Sequence, residues 1–139
     1  MHAVFVFGTL KEGFPNADSN RGSRLSGAFL TSNRYPLYLV GERHSPWLID
    51  SAGEGFQVRG EVYQVDDAGL EQMDRLERVS AADGYRRARV TVVSEVTNTP
   101  MEVYVYWKSA EQLDGMQLML GPMAEYELQH ASLYRKRPR

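Results

Sequence analysis

Hydrophobic and polar positions change rhythm several times along this chain, and each rhythm predicts an element. Ala3-Val4-Phe5-Val6-Phe7 is apolar without alternation, the pattern of a strand buried on both faces. A polar loop flanked by Gly8 and Gly13 follows at once, and glycine there permits backbone angles and close approaches that a Cβ blocks. Pro15-Asn16 and the polar run 18–23 predict turns or a short helix, and the mixed run 25–31 a strand. Tyr35-Pro36-Leu37-Tyr38-Leu39-Val40 is rich in strand formers, but its proline predicts an edge strand or a strand start. Pro46-Trp47-Leu48-Ile49 is a second short piece. Two glycines in 50–55 predict a turn that feeds a stronger strand at 56–65. In that strand Phe56, Val58 and Val62 share one face, whereas Tyr63 and Val65 take the other. The change of phase beside Gly60 predicts a bulge or two-sided burial, as in a sheet that curls toward a barrel.

The rhythm then becomes helical. Asp66-Asp67 offers an N-cap, and Leu70, Met73 and Leu76 recur every three residues as one stripe. Beyond it, 85–96 and 101–107 are β-branched and aromatic runs separated by Thr97-Asn98-Thr99-Pro100, which predicts an antiparallel hairpin. Val103, Val105 and Trp107 alternate there with Tyr104 and Tyr106. From Ala110 onward Leu113, Met116, Leu120 and Met123 have helical spacing, but Gly115 and Gly121-Pro122 interrupt it, so the tail reads as two short helices or a helix and a coil.

Composition limits what these elements serve. The 139 residues amount to one domain, 1–139, and 42% hydrophobic content suffices for a core without a disulfide or metal staple. Sixteen basic residues against eighteen acidic ones, a formal charge of -2, argue against nucleic acid as a partner. The one concentrated basic run, Arg135-Lys136-Arg137-Pro138-Arg139, reads as a solvated terminus. No apolar stretch approaches the roughly twenty residues of a membrane span. Zero cysteines exclude disulfides, thiolate nucleophiles and zinc–cysteine sites, and the N-terminus lacks a secretory pattern, so the expected setting is cytoplasmic and soluble.

Candidate chemistry concentrates at two places. On the helical wheel Glu77 falls about 20° from Leu70 and about 40° from Met73, on the apolar face. A carboxylate there is a helix-end group that reaches water, a buried group with partners, or an acid–base group whose pKa desolvation raises. Asp74 lies at the boundary of the stripe and is expected to pair with a nearby cation or backbone group, while Glu71 and Arg75 point outward. The second place is the opening loop, which can present bare N–H groups to an anion. It lacks the third glycine and following helix of a dinucleotide fingerprint, and the chain has neither a Walker loop nor a nucleophile elbow. His2, His44 and His130 are scattered without ligand spacing, so no metal site is expected. One or two of the tyrosines and tryptophans are expected to line a pocket.

Taken in order, Phe7-Gly8-Thr9-Leu10-Lys11-Glu12-Gly13, Tyr35-Pro36-Leu37, Gly41-Glu42, Pro46-Trp47-Leu48, Gly60-Glu61-Val62-Tyr63, Asp74-Arg75-Leu76-Glu77 and Tyr85-Arg86 resemble the γ-glutamylcyclotransferase-like family, nearest its γ-glutamylamine cyclotransferase branch. The resemblance spans 3–107 and leaves 110–139 as an unmatched tail. It implies an α+β fold: a single mixed domain with a small, partly closed β-barrel and short helices around it. It further implies that Phe7, Gly8, Thr9 and Leu10 bind a small-molecule γ-glutamyl substrate and that Glu77 is the catalytic acid–base residue. The implied reaction is cofactor-free cyclisation, in which the substrate's own α-amine attacks the γ-carbonyl and 5-oxoproline and an amine are released. The family usually carries tyrosine where this chain has Phe7, a missing hydroxyl that bears on substrate preference more than on fold. The rival expectation is a non-catalytic domain of the same fold that binds a small anion or a partner.

Overall fold

A computed structural model of the chain describes residues 1–136. Of the terminal basic run, Arg137, Pro138 and Arg139 lie outside the described residues. The strands are β1 (His2–Val6), β2 (Ser23–Arg24), β3 (Phe29–Thr31), β4 (Leu37–Val40), β5 (Ser45–Leu48), β6 (Arg59–Val65), β7 (Arg86–Ser94), β8 (Pro100–Trp107) and β9 (Leu118–Leu120). The helices are α1 (Asp67–Leu76), between β6 and β7, and the short α2 (Leu128–Ala131), with single 3₁₀ turns at Ala17–Ser19 and Ala110–Leu113.

Strands β1, β8, β7, β3 and β6 pair in that order, and β6 returns to pair with β1, so the small barrel closes. The β1–β8 contact is parallel and the others are antiparallel. Unalternating hydrophobicity in β1 has its cause here. Phe5 faces the main core with Val62, Val92 and Val105, while Val4 faces outward onto Val65, Leu70, Met73 and Tyr106 beneath α1. Gly60 marks the corner that the sequence flags in β6: it pairs with Phe29 of β3, and the next residue, Glu61, pairs with Val6 of β1. A Cβ on Gly60 would lie 2.5 Å from the Val6 carbonyl oxygen, so only glycine lets β6 pass this close to β1.

A second sheet, in the order β5-β4-β9, packs beside the barrel. Pro36 precedes β4 and therefore marks a strand start, but β4 is not an edge, because β9 pairs on its other side. Here the tail differs from the helical spacing expected of it. Leu118, Met119 and Leu120 are strand residues with exposed side chains, held to β4 by the backbone. Gly115, at φ 77°, and Gly121, at φ 112°, bracket this strand, and helical periodicity across it is accidental. Tyr126, from the same tail, is fully buried in the main core.

Helix α1 begins where expected. The Asp66 carboxylate accepts the Gly69 N–H at 2.8 Å, and Leu70 and Met73 are buried. The third stripe residue, Leu76, is 42% exposed, because the helix ends there and Arg78 turns to φ 56°. Val79, after the turn, packs in its place. Glu77 is thereby put at the C-cap of α1, next to a reversal that returns the chain to Tyr85, whose N–H donates to the Glu77 carbonyl at 3.0 Å.

Candidate active site

Both places singled out in the sequence line one pocket. Its walls are β1 and the loop after it, from Val4 to Leu10, together with Pro46, Glu77, Tyr85 and Tyr106. Phe7, Gly8, Thr9 and Leu10 are thus brought together with Glu77 across 67 positions of chain, 10 to 77. In the loop, the Lys11 N–H bonds to the Gly8 carbonyl at 3.1 Å and the Asn16 N–H to the Thr9 carbonyl at 2.8 Å. Among the described residues none accepts the N–H of Gly8, Thr9 or Leu10. Consecutive backbone donors left open at a pocket wall suit an anion or a carbonyl oxygen that gains charge. Gly8 is required for contact with β5, since a Cβ on it would lie 2.8 Å from Cγ of Pro46.

Two loop residues are used otherwise than their position suggests. Lys11 is 3% exposed and turns from the pocket; its Nζ donates to the Tyr126 carbonyl and lies 4.3 Å from the centre of the Phe14 ring. Burial lowers its pKa, against the pull of Glu125 and Glu61. Phe7 is buried, with its ring 6.4 Å from that of Phe5, so without a hydroxyl it serves as part of the core as well as of the pocket.

Burial pushes the Glu77 carboxyl up to about 7, opposed by the positive charge of Lys108. Its position at the C-terminal end of α1, where carbonyl dipoles carry partial negative charge, works in the same direction as burial. At neutral pH the group is divided between acid and base, as a proton shuttle needs. Asp74 makes structural contacts instead: it accepts from the Tyr106 hydroxyl at 2.6 Å and from Arg87 at 2.7 Å. That bond fixes Tyr106 in the pocket wall. Tyr85 is fixed by its hydroxyl, which donates to the Pro46 carbonyl at 3.0 Å.

Behind Glu77 and Tyr85, which belong to both, lies a wider groove of about 580 Å³, within the size range of small-molecule sites. Charged side chains of both signs line it, among them Glu42, Arg43, Asp83 and Lys108. Lys108 is buried. Its Nζ donates to the Asp83 carbonyl at 2.7 Å and sits 4.1 Å from the Trp47 ring centre and 4.6 Å from that of Tyr85. Sequence reasoning missed Lys108, since one lysine after a strand carries no signal. Tyr85 and Tyr106 are the pocket tyrosines that it could not single out. The histidines lie apart: His2 pairs with Asp67, His130 accepts the Glu127 N–H, and His44 sits in a left-handed turn at φ 53°.

The family model for gamma-glutamyl cyclotransferase, AIG2-like proteins matches residues 4–127. The chain belongs to this family. The family match runs past Trp107, where the motif resemblance stops, because the tail contributes a three-residue strand and an isolated core tyrosine rather than a periodic pattern. Among family relatives, the gamma-glutamylaminecyclotransferase of Bos taurus is 41% identical over 108 residues, 74% of this chain and 63% of that protein. Gamma-glutamylaminecyclotransferase B of Danio rerio is 37% identical over 125 residues, 82% of this chain and 63% of that protein. The chain therefore spans less than two thirds of the length of these curated relatives. The crystal structure of an AIG2-like protein from Mus musculus has 28% identity and a TM-score of 0.81, over 100% of this chain and 97% of that one. A structure named gamma-glutamyl cyclotransferase shares the fold at 12% identity and a TM-score of 0.65, over 84% of this chain and 69% of that one. Among the described residues no helix is long and apolar enough to cross a membrane.

Proposed function

We propose that this chain is a cyclotransferase that cleaves a γ-glutamyl amine, or a related γ-glutamyl amide, into 5-oxoproline and a free amine. One observation carries the reading: the open N–H groups of Gly8, Thr9 and Leu10 and the carboxyl of Glu77 line the same pocket. The names of the family relatives supply the substrate class.

In this reaction the nucleophile and the carbonyl belong to one molecule, so tethering already supplies a high effective molarity. What remains is to fold the glutamyl group, remove a proton from its α-ammonium and return one to the leaving nitrogen. Glu77 takes the first proton as carboxylate. The freed amine attacks the γ-carbonyl to close a five-membered ring, and charge grows on the carbonyl oxygen. The loop N–H groups stabilise that charge, or hold the substrate's carboxylate, without reorganising. Protonated Glu77 then hands its proton to the departing nitrogen as the amide C–N bond breaks. The second proton of the attacking nitrogen passes to the departing amine, which leaves as an ammonium ion, so protons and charge balance without a cofactor, and we assign none. We place the leaving amine in the groove beyond Tyr85, where acidic and basic side chains can both meet it. The reading includes the cytoplasmic setting expected from the sequence.

Incubation with γ-glutamyl-ε-lysine and a panel of γ-glutamyl dipeptides, followed by mass spectrometry, should detect 5-oxoproline with at least one substrate. Thermal stabilisation by these compounds without product on the whole panel would favour the binding-domain reading instead.

A further inference from the structure

Building on the reading of the opening loop as the glutamyl cradle, we propose that Asn16 and Tyr134 are positioning residues that brace Thr9 from behind and so set the geometry of the loop's open N–H groups. Neither residue lines the pocket. Asn16 grasps residue 9 twice: its N–H donates to the Thr9 carbonyl at 2.8 Å, and its Nδ2 donates to Thr9 Oγ1 at 2.9 Å. The second hydrogen of the same Nδ2 goes to the Tyr134 hydroxyl at 3.2 Å. Thr9 is thus tied through one amide to a residue 125 positions away, 134 minus 9.

Tyr134 is itself held on a path that leads to the other cavity. Its N–H donates to the Ala131 carbonyl at 3.1 Å, and the next N–H, of Arg135, donates to the carbonyl of Arg43, a groove residue, at 2.9 Å. Earlier in the same segment Tyr126 receives Lys11 Nζ on its carbonyl and packs its ring 5.7 Å from that of Phe14. Segment 126–135 therefore grips the loop at Lys11, at Phe14 and, through Asn16, at Thr9. A glycine-flanked loop with open donors has no ladder of its own to keep those donors aimed, and this segment supplies the missing constraint.

The direction of the bonds adds a chemical consequence. Because Asn16 donates, Thr9 Oγ1 is the acceptor, and its hydroxyl hydrogen is left to be given to an oxygen of the ligand. Bracing and donation are then properties of one contact.

Two readouts test this, and the first needs no substrate. Backbone ¹⁵N order parameters of Gly8, Thr9 and Leu10 should be near 0.85 in the unmodified protein and fall toward about 0.6 in Asn16→Ala, with those of β6 unchanged. Tyr134→Phe, which removes one hydroxyl, should shift them in the same direction by less, and it carries the test if Asn16→Ala does not fold. With a substrate found on the panel, Asn16→Ala should raise KM by about tenfold or more with a smaller change in kcat. Thr9→Val combined with Asn16→Ala should be no worse than the worse single variant, because both act through one contact. Unchanged order parameters in both Asn16→Ala and Tyr134→Phe, or KM effects that multiply in the double variant, would overturn the proposal. If the unmodified protein makes no 5-oxoproline, the cyclotransferase reading is what fails, and the order parameters still decide the bracing.

Discussion

At the scale of single residues, Glu77 owes its chemistry to a conflict between what its side chain prefers and where the fold puts it. Burial favours the neutral acid, Lys108 favours the carboxylate, and the outcome is a group that titrates at about 7. If Glu77 is the base, kcat/KM should rise with pH through an inflection near 7 and level off above it. Lys108→Met, which removes the opposing charge, should move this acid limb to higher pH. Stability should show the same titration with the opposite sense. The folded value of about 7 lies above the ordinary 4.5, so folding takes up a proton between these values. Stability is greatest below the lower value and is lost as pH rises through the upper one. Glu77→Gln should therefore raise Tm at pH 8, by up to about 3 kcal/mol of stability less whatever solvent access screens, and change it little at pH 4. Thermal denaturation of both proteins at the two pH values checks this. Glu77 was legible in the sequence as a carboxylate on an apolar stripe, whereas Lys108 was not, because its burial depends on Trp47 of β5 and on Tyr85, both distant in the chain.

At the scale of elements, the site is made by endings: the end of β1, the end of α1 and the reversal at 78–84. The reversal depends on Gly84. A Cβ there would stand 1.8 Å from the Arg78 carbonyl oxygen, so Gly84→Ala must force the turn open. That turn carries Glu77 on one side and Tyr85 on the other. The expected cost is about 2 kcal/mol, a fall of several degrees in Tm, with loss of turnover. An unaltered Tm and full activity would mean that the reversal does not shape the pocket. Helix α1 and the β7–β8 hairpin were legible from their periods, and β1 from an apolar run without one, because burial on one face writes a period and burial on both erases it. Strand β9 was not, since its three apolar residues are exposed and it is held by backbone bonds to β4. Backbone pairing leaves no mark on side-chain pattern.

At the scale of the whole molecule, closure of the barrel brings loop and carboxylate together. Strand β1 pairs on both sides, with β6 antiparallel and β8 parallel, and α1 lies across its outer face through Val4. The loop after β1 and the end of α1 thus meet by the same packing that builds the core. Phase change at Gly60 announced the curl of the sheet, but the pairing that closes it, and the Tyr134–Asn16 contact, join positions that no local pattern relates. In the proposed cyclisation Glu77 moves the protons and the Gly8-Thr9-Leu10 loop holds the substrate. The most direct test is the rate of 5-oxoproline formation by Glu77→Gln, measured beside its affinity for the same γ-glutamyl substrate. A fall of at least about 100-fold in kcat with binding retained is expected; full turnover by Glu77→Gln would remove Glu77 from the proton transfers.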